Sequence, residues 1–121
     1  MRSVLISLLL ALSLAVQAQT VKLLVQSSPL AGFQYHAGTA VWDELRVGDE
    51  LQLVREPQNP HDPRAVRVEW RNVQLGYLPR AENTAVAAAM DRGERVTARI
   101  AALLRHPNPW RRVRIEVFVV L

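Results

Sequence analysis

The sequence predicts a mainly β protein of the α+β class, a small antiparallel barrel or half-barrel of about six strands with one principal helix. Short apolar stretches recur between turn residues, and polar and apolar residues alternate within several of them. A single stretch is rich in alanine at helical spacing. The chain has 121 residues, of which 50% are hydrophobic, so it has room for one packed domain.

The first eighteen residues have the features of a secretory signal peptide. Arg2 precedes an apolar run over residues 4–16, and Val16-Gln17-Ala18 forms a small-x-small cleavage pattern. The run is shorter than the ~20 residues that a membrane-spanning helix needs. We therefore expect residues 1–18 to be removed, leaving a periplasmic or secreted domain over residues 19–121 with no membrane span.

Charge and cysteine content narrow the possible functions only in part. The formal net charge is +4, and loss of the single charge of Arg2 leaves +3. This arginine excess suits phosphate-bearing partners, and it is also normal for a soluble surface. The chain has no cysteine, which excludes disulfides, thiolate metal sites and thiol catalysis.

The first half of the domain contains two predicted strands and a helical turn. Residues 21–25 are apolar and are followed by Ser27-Ser28-Pro29, which predicts a first strand and its end. A second short segment covers residues 30–35. Residues 43–46 are typical of one helical turn, and the alternation over residues 50–55 predicts a half-buried strand.

A proline-rich loop and a hairpin follow. Residues 57–63 contain three prolines, so they cannot form a regular ladder. The surrounding segment from Glu56 to Ala65 is the predicted centre of the ligand site. Residues 65–70 and 73–78 are expected to pair through a turn at Arg71-Asn72.

The last third holds the helix and two long strands. Residues 80–90 are alanine-rich and Gly93 follows as a stop signal, which predicts a helix. Residues 94–104 and 113–120 are predicted strands, joined by a proline-containing turn at residues 106–110.

The residues offer little for catalysis or metal binding. After the signal segment the serines are Ser27 and Ser28, which stand side by side before a proline, and no glycine-rich phosphate loop is present. We therefore expect no enzyme activity and no cofactor. A zinc site could arise only by long-range assembly of His36, His61 and His106 with an acid such as Asp62, because no short ligand spacing occurs.

Residues 31–38, 53–68 and 75–80 resemble, in order and spacing, the HIRAN domain. The central motif is Glu-Pro-x-Asn-Pro-x-Asp-x-x-Ala-Val, which begins at Glu56, and the resemblance covers nearly the whole domain. It implies a modified OB-type or SH3-like barrel that binds single-stranded DNA at its 3′-hydroxyl end without catalysis.

The resemblance also implies roles for individual residues. Asp62 matches a carboxylate that accepts the terminal 3′-hydroxyl, and Tyr35 and His61 match aromatic positions that flank the end bases. Arg80 matches a basic residue that faces phosphate, and Asn59 belongs to the central motif. A carboxylate repels an internal phosphate but accepts a hydrogen bond from a free hydroxyl, so this assignment would give end selectivity.

Several positions depart from the family pattern. Gln34 stands where a DNA-binding member of the HIRAN family has an arginine, and His36 and His61 stand where that member has tyrosines. Trp110, in the turn before the last strand, lies near the position of an aromatic residue that helps line the pocket. The histidine and glutamine changes weaken stacking or the attraction to phosphate.

Other roles for the same residues remain open. Asn59 and Asp62 could cap a proline-rich turn through hydrogen bonds to the backbone. Tyr35 and Tyr77 could pack at the edge of the core, and Arg80 could be a solvated residue at the start of the helix.

Three functions follow from these observations. The leading one is an exported module that binds the end of single-stranded DNA or another nucleic acid. The second is an envelope module that binds a protein and reuses the same barrel, because DNA ends are scarce outside the cell. The third is a hydrolase, which rests only on the association of HIRAN domains with large ATPases.

Overall fold

The computed structural model describes residues 20–121, so the predicted signal segment lies outside the described residues. Six antiparallel strands form a sheet in the order β1-β6-β5-β2-β3-β4. The strands are β1 (Lys22–Pro29), β2 (Glu50–Glu56), β3 (Ala65–Trp70), β4 (Val73–Tyr77), β5 (Val96–Leu103) and β6 (Val113–Val120). The helix, α1, covers Thr84–Asp91. These elements confirm the prediction of a mainly β fold with one principal helix. No helix within residues 20–121 has the length and apolar character needed to cross a membrane.

The sheet curves toward a barrel without a continuous ladder to close it. After β1 the chain crosses to the opposite edge of the sheet, where Ala31 forms an isolated bridge with Tyr77 of β4. The Ala31 amide donates to the Tyr77 carbonyl and the Tyr77 amide donates to the Ala31 carbonyl, each over 2.9 Å. This bridge joins the two edges of the sheet and explains why the fold is compatible with an OB-type barrel.

The core follows from alternation along the strands. Val113, Ile115 and Val117 of β6 point inward, while Arg114 between them is exposed. Buried side chains from every layer form one cluster: Leu30, Phe33, Leu45, Leu51, Val66, Val68, Trp70, Leu75, Leu78, Val86, Ala87, Ala98, Ile100, Val113, Ile115 and Val117.

The central and C-terminal strands match their predictions closely, and the hairpin turn is confirmed. Arg71 and Asn72 both have positive φ, at 47° and 65°. Two successive residues in this region form the tight turn whose twist suits a two-residue hairpin.

Two predictions in the first half need correction. The first strand continues to Pro29, because Ser27 and Ser28 pair with Glu116 and Ile115 of β6. The segment 30–35 does not continue as a strand, because Gly32 has a φ of +72° and a 3₁₀ turn follows over Phe33–Tyr35. Tertiary pairing and one left-handed glycine thus override the local pattern.

Further 3₁₀ turns cover Ala37–Thr39, Trp42–Glu44 and Pro109–Arg111. The predicted helical turn at residues 43–46 corresponds to Trp42–Glu44, where Trp42 packs edge-on against Phe33 with ring centroids 5.8 Å apart. The turn before β6 contains Pro109–Arg111, and the Asn108 side chain accepts a hydrogen bond from the Trp110 amide.

The helix begins later than predicted. Residues 79–82 form a turn in which the Glu82 amide donates to the Pro79 carbonyl, and α1 starts at Thr84. Arg80 therefore lies outside the first helical turn, and the alternative that it is a solvated residue at the start of the helix is wrong. The proline at position 79 favours a turn at this point. Asn83 occupies the N-cap position of α1 without a capping hydrogen bond from its side chain.

Gly76 is required for closure of the barrel. A Cβ atom at this position would collide with the Ala31 carbonyl oxygen, which belongs to the bridge. We expect Gly76→Ala to lower the free energy of unfolding by about 1–3 kcal/mol, because the backbone must move to relieve the overlap. Urea unfolding monitored by tryptophan fluorescence would measure the change.

Gly48→Ala provides the matched control. Gly48 also has a positive φ, +92°, but nothing lies within 4 Å of an added Cβ atom. If Gly76→Ala were no more destabilising than Gly48→Ala, close approach at the bridge would not be what requires glycine.

Candidate nucleic-acid interface

The proline-rich loop between β2 and β3 folds against β4 and encloses an open pocket of about 370 Å³. This volume lies at the lower end of the range for small-ligand sites. The lining residues come from the loop, from β4 and the turn after it, and from the segment that follows β1: Ala31, His36, Asn59, His61, Asp62, Ala65, Tyr77, Leu78 and Arg80. Five predicted site residues, from three separate segments of the sequence, are therefore brought together.

Asn59 shapes the loop from within. Its Oδ1 accepts hydrogen bonds from the amides of His61 (2.9 Å) and Asp62 (3.2 Å). Its Nδ2 donates to Oε1 of Glu56 over 2.9 Å. The turn-capping role of Asn59 is therefore what the structure shows, and its amide sets the path of the backbone that presents Asp62.

Arg55 clamps the other end of the loop. Its guanidinium donates to the carbonyls of Pro63 and Ala65, over 3.1 and 2.9 Å. The same group forms a two-point contact with Asp91 at the end of α1, with Nε to Oδ1 at 2.9 Å. The loop is thus fixed to the helix as well as to the sheet.

Asp62 is nearly buried, with 8% of its surface exposed, and it lines the pocket. Its Oδ1 accepts a hydrogen bond from the Arg64 amide over 2.9 Å, which also caps the turn. Its Oδ2 accepts one from Nδ2 of Asn83 over 2.8 Å. A carboxylate offers about four acceptor positions, so two of them remain for a ligand.

The surroundings of Asp62 keep its carboxyl group ionised. Burial raises its pKa, but hydrogen bonds from the Arg64 amide and the Asn83 side chain oppose this, together with the positive charges of Arg64 and Arg80. The net effect is a pKa below the ordinary value. The pocket therefore presents an anionic acceptor at neutral pH rather than a protonated donor.

Glu56 connects the loop to the hairpin. Its carboxylate accepts hydrogen bonds from Asn59, from the Tyr77 hydroxyl over 2.9 Å, and from Arg67 over 2.7 Å. Burial raises the pKa of Glu56, but these three donors and the charge of Arg67 lower it further than burial raises it. For Tyr77, burial and the bond to Glu56 raise the pKa of the hydroxyl. Tyr77 thus has a fixed orientation in the pocket wall.

Aromatic rings form one side of the pocket. His36 packs edge-on against Tyr77 with ring centroids 5.7 Å apart. The side chains of His61 and Arg80 are exposed at the rim. The arrangement therefore combines an anionic acceptor, ring surfaces and a cation around one opening.

Gln34, Tyr35 and Trp110 lie outside this pocket wall. Gln34 and Tyr35 belong to the 3₁₀ turn after Gly32, and Tyr35 is 80% exposed. Trp110 is 49% exposed and lies on the adjoining 3₁₀ turn. The structure thus separates the predicted residues into a pocket group and an exposed group beside it.

Three supporting roles were not predicted from the sequence: Tyr77 as a pocket wall, Asn83 as the donor to Asp62, and Glu56 as the acceptor that joins Asn59, Arg67 and Tyr77. N-cap preference would not have revealed the role of Asn83, because its side chain makes no capping hydrogen bond and donates to Asp62 instead. Glu56 and Tyr77 lie in the segments that carry the family resemblance, but their contact could not be predicted, since it joins residues that are 21 positions apart.

The predicted histidines do not assemble into a metal site. Within residues 20–121, no group of three or more histidine, aspartate or glutamate side chains is placed to hold a metal ion.

Comparison with known proteins identifies the family. The sequence model of the HIRAN domain matches residues 23–121. The chain belongs to the HIRAN family. HIRAN domains are known for DNA binding, so a DNA partner in general is consistent with this membership.

Similar proteins include bacterial, human and plant relatives of this HIRAN protein. A crystal structure of a Lactobacillus plantarum protein matches with a TM-score of 0.73 and 24% identity, over 84% of this chain and 98% of the other. The HIRAN domain of human HLTF matches with a TM-score of 0.63 and 21% identity, over 82% of this chain and 78% of that one. A Fanconi-associated nuclease 1 homolog from Oryza sativa subsp. japonica is 33% identical over 72 residues. That alignment covers 56% of this chain and 7% of the nuclease homolog.

The Asn83–Asp62 bond makes a prediction for stability. We expect Asn83→Ala to lower the free energy of unfolding by about 1–3 kcal/mol at neutral pH, because a buried carboxylate loses a charge-assisted donor. The lowered pKa of Asp62 means that its stabilising contribution is present above the unfolded pKa and is lost as pH falls through the folded pKa. The difference in the free energy of unfolding between wild type and Asn83→Ala should therefore become smaller below about pH 4.

Urea unfolding across this pH range measures the difference. Glu82→Ala is the control, because Glu82 is an exposed neighbour and should show no comparable loss. A difference that stays constant into acid would show that Asn83 does not act through the ionised form of Asp62.

Proposed function

We propose that this HIRAN protein binds the 3′-hydroxyl end of single-stranded DNA in the pocket between the proline-rich loop and β4. The observation that carries the proposal is Asp62, an ionised and nearly buried carboxylate with free acceptor positions in a pocket whose rim is cationic. The HIRAN domain is a binding module, so we propose binding alone.

A carboxylate in this position favours a strand end over a strand interior. A terminal hydroxyl can donate a hydrogen bond to Asp62, whereas a phosphate at the same place would bring two negative charges together. The repulsion is strongest where water is largely excluded, as it is around the Asp62 side chain, which is 11% exposed. End selectivity would thus come from one side chain.

The rest of the pocket suits a nucleotide without reading its base. His36 and Tyr77 provide ring surfaces, and His61 at the rim can stack on a base. Stacking on an aromatic ring contributes roughly 1–3 kcal/mol per base and tolerates any sequence. Arg80 and Arg64 can attract the phosphate that precedes the terminal sugar. We therefore propose end recognition with little sequence preference.

Fluorescence anisotropy with labelled oligonucleotides tests the proposal. The domain should bind a 3′-hydroxyl strand at least about tenfold more tightly than the same strand with a 3′-phosphate. Asp62→Asn should abolish most of this difference, because it removes the charge that repels the phosphate while keeping the size of the side chain.

Glu94→Gln is the matched control, since it removes one exposed negative charge outside the pocket. Equal affinity of the wild type for both strand ends, or no affinity for either, would contradict 3′-end recognition. If a pull-down instead recovers an envelope protein, and nuclease treatment does not reduce its recovery, this result would favour the protein-binding alternative.

We also propose that residues 1–18 direct export and are then removed. The sequence of these residues motivates this proposal, through Arg2, the apolar run and Val16-Gln17-Ala18. After expression of the full chain, mass spectrometry should find a mature protein that begins at Gln19, in the periplasm or the medium. A protein that keeps Met1 or Arg2 and stays in the cytoplasm would refute the export proposal and leave the pocket unaffected.

A further inference from the structure

A second pocket borders the chain segment 33–36 at Phe33. It has a volume of about 350 Å³ and is formed by the 3₁₀ turns after β1 and by the segment between β5 and β6. Its lining residues are Phe33, Thr39, Trp42, Asp43, Arg105, His106 and Arg112. None of these residues lines the pocket of Asp62.

Arg112 is held in position by the backbone. Its Nε donates to the His106 carbonyl over 2.8 Å, and one of its terminal nitrogens donates to the Pro107 carbonyl over 3.3 Å. Guanidinium has five N–H donors, so donors remain for a ligand. Because both observed contacts are to neutral carbonyls, the positive charge is not neutralised there.

Arg105 is the second cation, and it lies beside an aromatic ring. Its guanidinium carbon is 5.9 Å from the ring centroid of Trp42. It also contacts Asp43 at 2.6 Å, but these two side chains are 77% and 83% exposed. An exposed pair of this kind is weak and is screened by salt. A phosphate can therefore compete with Asp43 for this guanidinium.

The charge balance of the pocket is positive. Two arginines face one carboxylate, and His106 is the remaining titratable group in the lining. The Nδ1 atom of His106 accepts a hydrogen bond from the Asn108 amide, which leaves its Nε2 for other partners. An aromatic ring next to two guanidinium groups is the combination that binds a base and its phosphate without reading sequence.

Residues of the segment 33–36 line both pockets. Phe33 lines the second pocket, His36 lines the first, and the exposed Tyr35 lies between them in the chain. The neighbouring 3₁₀ turn carries Trp110, which is also exposed. A strand whose end occupies the Asp62 pocket can therefore cross exposed aromatic side chains before it reaches the arginines.

We propose that the pocket of Trp42, Arg105 and Arg112 binds a phosphate and base of the same DNA strand, on the 5′ side of the end held by Asp62. This inference rests on the proposed function for the position of the strand end. It adds a second contact region and makes affinity depend on strand length. The Asp62 pocket would provide selectivity for the strand end, and the two arginines would provide additional affinity for the strand.

Strand length separates the two pockets in an experiment. Fluorescence anisotropy would compare a 3′-hydroxyl dinucleotide with a strand of about eight nucleotides, for wild type and for Arg105→Ala/Arg112→Ala. We expect the double variant to bind the dinucleotide like the wild type and to bind the longer strand about tenfold more weakly. The slope of log K against log salt for the longer strand should fall by about 0.7 for each lost phosphate contact.

Two further variants keep the test decisive. Arg92→Ala/Arg99→Ala removes the same charge from exposed positions outside both pockets, so its effect on the longer strand should be much smaller. Arg105→Glu is a single variant that leaves Arg112 and its turn unchanged. Because Arg105 is exposed, reversing its charge should not disturb folding and should still weaken binding of the longer strand selectively. Thermal unfolding confirms that each variant is folded.

The possible outcomes assign failure to one proposal or the other. Equal losses for both strand lengths, no loss for either, or an equal loss in the Arg92→Ala/Arg99→Ala control would overturn the second pocket. A third outcome is that the wild type shows no preference for the 3′-hydroxyl, while Arg105→Ala/Arg112→Ala still binds the longer strand more weakly than the wild type. This result would overturn the end-recognition proposal and retain strand binding by the arginine pocket. Absence of any binding by the wild type would overturn both.

Discussion

The carboxylate of Glu56 accepts hydrogen bonds from the proline-rich loop, from β3 and from β4, through Asn59, Arg67 and Tyr77. These three elements make up most of the pocket, and Glu56 itself ends β2. A partly buried carboxylate with three donors is stable only while all of them stay in place, because each loss leaves a charged acceptor short of partners. The geometry around Asp62 therefore depends on a residue that does not line the Asp62 pocket.

Closure of the barrel places the second wall of this pocket. The bridge between Ala31 and Tyr77 brings the segment after β1 to the edge of β4, and the approach is close enough that Gly76 cannot carry a Cβ atom. His36 reaches the Tyr77 ring through this contact. The same segment continues into Phe33 and Trp42, so one backbone bridge positions parts of both pockets.

Much of this architecture could be predicted from the sequence, because alternation and turn chemistry are local. Residues 65–70 and 113–120 agree with their strands, and Arg71-Asn72 forms the predicted turn. The extension of β1 to Pro29 could not be predicted, since Ser27 and Ser28 have low strand preference and are held by pairing with β6. The delayed start of α1 follows from the turn after Pro79, which competes locally with the helix.

In the candidate site, too, residues that are close in sequence could be predicted, and residues that join through distant contacts could not. Asn59, His61 and Asp62 could be grouped from the motif, because they are close in sequence. Asn83 and Tyr77 enter only through contacts between distant segments. Motif resemblance finds residues near a ligand more readily than those that support them, since a support can come from any element that folds nearby.

The His61 imidazole makes no hydrogen bond within residues 20–121, and its side chain is exposed at the rim, in contrast to the Asn59 side chain, which makes three hydrogen bonds. Substitution at position 61 therefore places little demand on folding, since exposed side chains without partners contribute little to stability. Gln34 and Tyr35 share this freedom on their exposed turn. Proteins that share this fold can consequently differ in ligand preference through a few surface positions, while the internal hydrogen bonds that shape the pocket stay unchanged.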